Sequence, residues 1–323
     1  MQKITLLLSL IVFVFSCQPT SQTETRRVSV VEEEKDSTKV YNLMNEELPE
    51  KALTDNQRSL YETNLNKAKE TLDANPDSLD AIIWYGRRLA YLGNYLEAIK
   101  VYSEALRIYP GSYRLYRHRG HRYITTRQLS KAIKDFELAA YYSLNEENQI
   151  EPDGLPNKLN QPLSNDKFNI WYHFGLANYL SGRYDKALSS YSKCQEFSDN
   201  DDLKVATTYW QYLTYMKLGN KDLAQELTES ISSNLKLIEN DAYLDLLLLF
   251  KGEKESDNLV KKATNKDGSV NPTLAYGIAA NYQHEGKQDK ANELFLKIIE
   301  SPNWDAFGYI AAEAELKTIF PVP

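Results

Sequence analysis

Two stretches of this 323-residue chain align with each other, without a gap, at a spacing of 34 residues. The first opens Ala81-Ile82-Ile83-Trp84-Tyr85-Gly86 and runs to Pro110. The second opens Leu115-Tyr116-Arg117-His118-Arg119-Gly120 and runs to Leu144. Under that shift Gly86 falls on Gly120, Ala98 on Ala132, Tyr102 on Phe136 and Ala105 on Ala139. A fixed period of about 20–50 residues is the mark of a repeat array, in which each unit buries its apolar face only by stacking on its neighbours. No other feature of the chain restricts its fold so strongly.

A third copy begins near Phe168, with Trp171, Gly175, Gly182, Tyr184, Ala187, Tyr191 and Cys194 at the corresponding places. A fourth carries Tyr215, Gly219, Ala224 and Ile231, and a late one carries Tyr282, Gly286, Ala291, Phe295 and Ile298. Ala224 and Ala291 lie 67 residues apart, close to two periods, so a worn unit is predicted between them. Its helices fall over Tyr243 to Phe250 and about 257–264, and the run Leu246 to Leu249 suits a buried helix. The period and its small and aromatic positions resemble the tetratricopeptide repeat (TPR). The resemblance implies an all-α solenoid of about six helix-turn-helix repeats, at 79–112, 113–146, 168–201, 205–238, 239–271 and 272–305. It also implies that Cys194, which stands where Ala105 and Ala139 stand, is a small packing residue. A mostly polar helix over 55–74 and a capping helix over 306–319 flank the array, within a folded region of 51–323.

One interval breaks the period. Gly120 and Gly175 are 55 residues apart, which places an insertion at about 145–165. Pro152, Pro156 and Pro162 bar a regular helix there, and Asp153-Gly154 reads as a turn. The prolines restrict the free loop and favour an ordered excursion, either over the groove beside the second repeat or over the ends of helices.

The amino terminus carries a different signal. Lys3 precedes an almost wholly apolar run from Ile4 to Phe15, shorter than the roughly 20 residues a spanning helix needs. It ends in Val14-Phe15-Ser16-Cys17, which resembles the lipobox of bacterial lipoproteins. The resemblance implies cleavage after residue 16 and acylation of Cys17; the other reading is an ordinary secretory signal with an incidental cysteine. Two acyl chains anchor stably where one is marginal. Gln18 in place of Asp implies, by the same family analogy, the outer membrane of the cell envelope over the inner. Only Cys194 then remains, so no disulfide framework holds the fold. Residues 18–50 are rich in Ser, Thr, Gln and Glu and read as a disordered tether. Without residues 1–16 the chain has 37 basic and 45 acidic residues, a balance that argues against nucleic acid as a partner.

TPR arrays bind ligands on a concave face lined by the first helix of each repeat. Carrying the family's groove positions onto this sequence gives Arg87 and Tyr91 in the first repeat, Arg114, Arg117 and His121 in the second, and Tyr172 and Tyr179 in the third. The segment Arg114 to Arg122 holds four arginines and two histidines in nine residues, and is similar to the carboxylate clamp of chaperone-binding TPR domains. Guanidinium forks grip carboxylates bidentately, so a protein or peptide partner with an acidic segment is expected. The competing reading pairs these arginines with Asp80, Glu104, Asp135 and Glu137, leaving Arg119 and Arg122 to pair or face solvent. Concave tyrosines suggest glycan capture as an alternative, although most aromatics fall at packing positions. His118 and His121 stand one helical turn apart, but the arginines around them repel a cation, so no metal and no cofactor are expected. No His-Glu-x-x-His, Gly-x-Ser-x-Gly or phosphate-loop motif is present, and no catalytic role is expected.

Overall fold

A computed structural model describes Asp36 and residues 38–320; the expected signal segment 1–16, the Cys17 anchor and most of the tether lie outside the described residues. The repeats fold as helix pairs: α2 (Leu79–Tyr91) with α3 (Tyr95–Ile108), α4 (Tyr113–Thr125) with α5 (Leu129–Tyr142), and α6 (Asp166–Leu180) with α7 (Tyr184–Gln195). They continue through α8 (Asp201–Lys217), α9 (Lys221–Glu229), α10 (Asp241–Phe250), α11 (Ser256–Ala263), α12 (Pro272–His284) and α13 (Gln288–Ile299). The flanking helices are α1 (Asp55–Ala74) and α14 (Phe307–Ile319). Among the described residues there is no β-sheet, only three isolated bridges, and no helix is long and apolar enough to cross a membrane. The chain is an all-α solenoid of helix-turn-helix repeats.

The repeat is written in its caps and turns. Ser78, Ser112, Asn165, Asn200 and Asn271 each accept the N–H three residues on, starting the first helix of a pair. Such a cap is worth about 1 kcal/mol. Between the two helices the chain turns through a left-handed residue: Gly93, Gly182, Gly219, Gly252 and Gly286 all have φ between 70° and 90°. The second repeat places Arg127 there instead, at φ 59°. Within a pair the helices close on a glycine; a Cβ at Gly86 would stand 2.4 Å from the Tyr102 ring.

First helices from separate repeats meet across the interior of the solenoid. Its interior is filled by aromatics from first helices that meet across it: the hydroxyls of Tyr179 (α6) and Tyr276 (α12) are 2.7 Å apart, and Trp210 (α8) donates to the Tyr172 hydroxyl at 2.9 Å. The terminal helix α14 packs against α12 and α13 and also reaches α6. Ile310, Ala312 and Glu313 are fully buried while Lys317 and Thr318 are exposed, so α14 covers the last helix pair with one face and keeps a polar one outside.

Nor is residues 38–50 a loose tether. Leu48 joins the core, Leu43 N–H donates to the Glu313 carboxylate at 3.2 Å, and Lys51 pairs with Asp305 at 2.6 Å. Arg127 completes the closure with a bidentate grip on Glu313 (2.6 and 3.0 Å) and a bond to the Trp304 carbonyl at 2.7 Å. The second repeat is thereby locked to the last helix, with Arg127 and Glu313 almost wholly buried.

Candidate functional site

The basic residues of α2 and α4 converge under the insertion. Arg87 projects from α2 and Arg117 from α4, and the carboxylate of Glu151 sits between them, 3.1 Å from Arg117 Nη2 and 3.8 Å from Arg87 Nη1. Asn169 of α6 adds a hydrogen bond to Glu151 at 2.9 Å. The turn that carries Glu151 is itself held by arginines: Arg87 donates to the Pro152 carbonyl and Arg88 to that of Gly154, both at 2.9 Å. Gly154 lies so close to Tyr91 that a Cβ there would fall 1.6 Å from the phenol oxygen. At its base the insertion is pinned by Glu151 N–H to Ser164 and Asp166 N–H to Gln149, each at 2.9 Å.

Beside Glu151 lies a cavity of about 120 Å³ whose wall includes Arg87, Tyr91, Arg117, His118, His121 and Arg122. Arg117 Nη1 is 2.9 Å from His118 Nδ1. Since a guanidinium only donates, His118 accepts there and is neutral. Burial, and then the fields of Arg117 and Arg87, hold the His118 pKa well below its ordinary value. Burial, Arg122 and His173 do the same to His121, whose ring lies 4.4 Å from that of His173. His173 is lowered to about 3 by burial and Arg117, and its Nδ1 meets the Asn169 carbonyl at 2.6 Å.

The groove residues expected from the sequence thus have different fates. Arg87, Arg117, Tyr91 and His121 share the cavity wall. Arg114 does not join them: it pairs with Asp80 at 2.6 Å across an exposed seam, a contact worth little in water. Tyr172 and Tyr179 are 6% and 4% exposed and bonded into the interior, so they offer no stacking face to a sugar. Arg119 pairs with Asp135 at 2.7 and 2.8 Å. Arg122, expected to pair or face solvent, instead lines the cavity. Asn169 stands at one of the groove positions that the family resemblance gives for the third repeat; Glu151 was not anticipated as a site residue, and its only trace was an acid beside a proline in an insertion. Among the described residues no cluster of His, Cys, Asp and Glu suits a metal. Cys194 is fully buried, and burial pushes its thiol pKa up to about 12.

Residues 168–201, which span α6 and α7, match the tetratricopeptide repeat family. A comparison with curated proteins found no match. Among solved structures the chain is similar to YrrB, described as "a TPR protein with an unusual peptide-binding site", at 15% identity and a TM-score of 0.41, over 77% of this chain and 97% of that one. It is also similar to a chain of the Naa15/Naa10 assembly bound to HypK-THB, at 17% identity and a TM-score of 0.35, over 81% of this chain and 40% of that one. The chain is therefore a helical-repeat solenoid with a tetratricopeptide repeat at its third helix pair.

Proposed function

We propose that this protein is a non-catalytic binding scaffold of the bacterial envelope, anchored through lipid on Cys17, which takes an acidic group of a protein partner at the guanidinium pocket of α2 and α4. The observation that carries this reading is Glu151. A carboxylate already rests between Arg87 and Arg117 with Asn169 behind it, so the pocket has the geometry and donors that a carboxylate needs. Arg122, half-buried on the same wall, has no carboxylate partner among the described residues and is the contact left for an incoming acid. The burial of Tyr172 and Tyr179 leaves the glycan alternative without an observation in its favour.

Fluorescence anisotropy with a labelled peptide ending in an acidic run, set against its Gln-substituted counterpart, tests the pocket. The acidic peptide is expected to bind more weakly as salt rises and to lose affinity on Arg122→Gln. Equal binding of both peptides would overturn the reading. The anchor has its own test: labelling with a clickable fatty acid in cells should mark the wild type and not Cys17→Ala, and a label that survives the substitution would exclude acylation there.

A further inference from the structure

The cavity beside Glu151 has more donors than the protein answers. Its wall holds three guanidinium groups, Arg87, Arg117 and Arg122, against one carboxylate. Glu151 occupies Arg87 Nη1 and Arg117 Nη2, and the Pro152 carbonyl occupies Arg87 Nη2. Arg117 Nε has no acceptor and is buried out of a ligand's reach, on a residue only 8% exposed, so Arg117 lends the cavity its charge and not that donor. Arg122 meets no carboxylate among the described residues; it lies over the Tyr95 ring, 5.5 Å from its centre. With its Nδ1 accepting from Arg117, neutral His118 keeps its proton on Nε2 as a further donor. Buried donors and charges are rarely left unanswered in native interiors. A lining of this kind calls for a ligand that is anionic and rich in oxygen.

Size and charge narrow the class. A cavity of roughly 150 Å³ holds one benzene, so about 120 Å³ takes a single tetrahedral oxyanion and excludes a stretch of peptide backbone. The wall carries two more positive charges than negative ones, with His118 and His121 neutral. A carboxylate brings one negative charge and two coplanar oxygens; a phosphoryl group brings about −1.5 to −2 near neutral pH and three oxygens pointing in different directions. Asp153 and Asp166 stand outside the wall, and burial raises the pKa of both. Asp166 is further occupied by the Tyr113 hydroxyl at 2.9 Å.

We infer that this cavity is a site for a phosphate-class dianion, with Arg122 as the donor that takes it, Arg87 and Arg117 as the positive wall behind it, and Glu151 as the fixed carboxylate that holds those two arginines in position. The inference rests on the reading of this pocket as the ligand contact and sharpens the ligand from any acid to a phosphoryl oxyanion. Calorimetric titration of the purified chain with inorganic phosphate, phosphoserine and acetate, at constant ionic strength set with chloride, tests it. Saturable binding of phosphate or phosphoserine, at least about tenfold tighter than that of acetate, is expected. Arg122→Gln removes one charge-assisted contact without breaking an ion pair. It should weaken phosphate binding by about tenfold or more, with melting in chloride buffer close to wild type. Arg122→Lys, which keeps the charge, should retain part of the affinity. No saturable signal in the wild type, or equal affinity in Arg122→Gln, would overturn the inference. Stronger binding of phosphoserine assigns the site to a phosphoryl group borne by a larger ligand, and exclusion of phosphoserine assigns it to free phosphate; both support the dianion site. An acidic peptide that binds and is not displaced by phosphate keeps the acidic-partner reading and sinks this one. Phosphate binding without acidic-peptide binding does the reverse.

Discussion

At the residue scale, Arg127 shows how one side chain departs from the repeat in order to do another job. Every neighbouring helix-turn has glycine at the left-handed position, whereas Arg127 adopts φ 59° there, at a cost of order 1–3 kcal/mol. Its grip on Glu313 offsets that cost only while both partners are present. Breaking a buried pair from one side costs about 3–5 kcal/mol. Glu313→Gln should therefore lower the urea midpoint clearly, and Arg127→Gly should do so too despite relieving the backbone. An unchanged midpoint in either variant would show that the pair does not hold the closure.

The histidines give a pH dependence. The folded-state pKa values of His118, His121 and His173 lie below the ordinary value, so the unfolded chain takes up protons first. Their contribution is complete above about pH 6.5 and is lost as pH falls through that value toward the folded pKa. His173, lowered to about 3 by burial and Arg117, accounts by itself for about 1.4 kcal/mol per pH unit across the range in which only the unfolded form titrates. Denaturant midpoints measured from pH 8 to 4 should be level at the alkaline end and fall below about 6.5. A profile that stays level to pH 5 would contradict the neutral cluster.

At the scale of elements, the insertion behaves as part of the solenoid and not as an ornament. Helix pairs within a repeat close through short contacts such as Gly86 on Tyr102, and these follow directly from the period. The 145–165 segment instead stitches α2, α4 and α6 together through Glu151 and Asn169. Glu151→Ala leaves Arg117 buried without its anion, and an expected loss of about 3–5 kcal/mol follows. By contrast Glu97→Ala, in an exposed pair with Lys100 at 3.9 Å, should change stability by less than about 1 kcal/mol. Urea unfolding of the two variants side by side checks the contrast; equal effects would mean that the insertion is not anchored through its carboxylate.

For the whole molecule, closure changes the cooperativity. An open solenoid is a sum of repeats and nearest-neighbour interfaces, and it unravels from its ends. Here residues 38–51, Arg127 and α14 join the early repeats to the last helix, so the array is tied by more than nearest-neighbour interfaces. Wild-type unfolding followed by tryptophan fluorescence and by helical circular dichroism should coincide. Removal of residues 1–53 takes away Leu48, the Leu43 contact with Glu313 and the Lys51–Asp305 pair. It should lower the melting temperature and separate the two probes. Coincident, unshifted transitions in the truncated chain would show that the amino-terminal segment contributes nothing to the closure.

The repeat period, the recurrent glycines and the small packing residues were legible from sequence, because each follows a local rule repeated at a fixed spacing. Cys194 could be placed among the packing residues on register alone. The basic character of the second repeat was equally legible, but the partners of its arginines were not. Arg117 meets Glu151 across 34 residues and Arg127 meets Glu313 across 186, and nothing local encodes such pairings. Whether a groove stays open depends on how far each pair of helices is rotated on the last, a small angle that accumulates along the array. Contacts between first helices far apart in sequence, Tyr179 with Tyr276 and Tyr172 with Trp210, turned these two tyrosines from expected ligand contacts into interior packing. Sequence alone determined the helical-repeat solenoid; the tertiary structure decided that it closes on itself, because closure is set by the sum of its interfaces and by buried charges that only distant chain segments can pair.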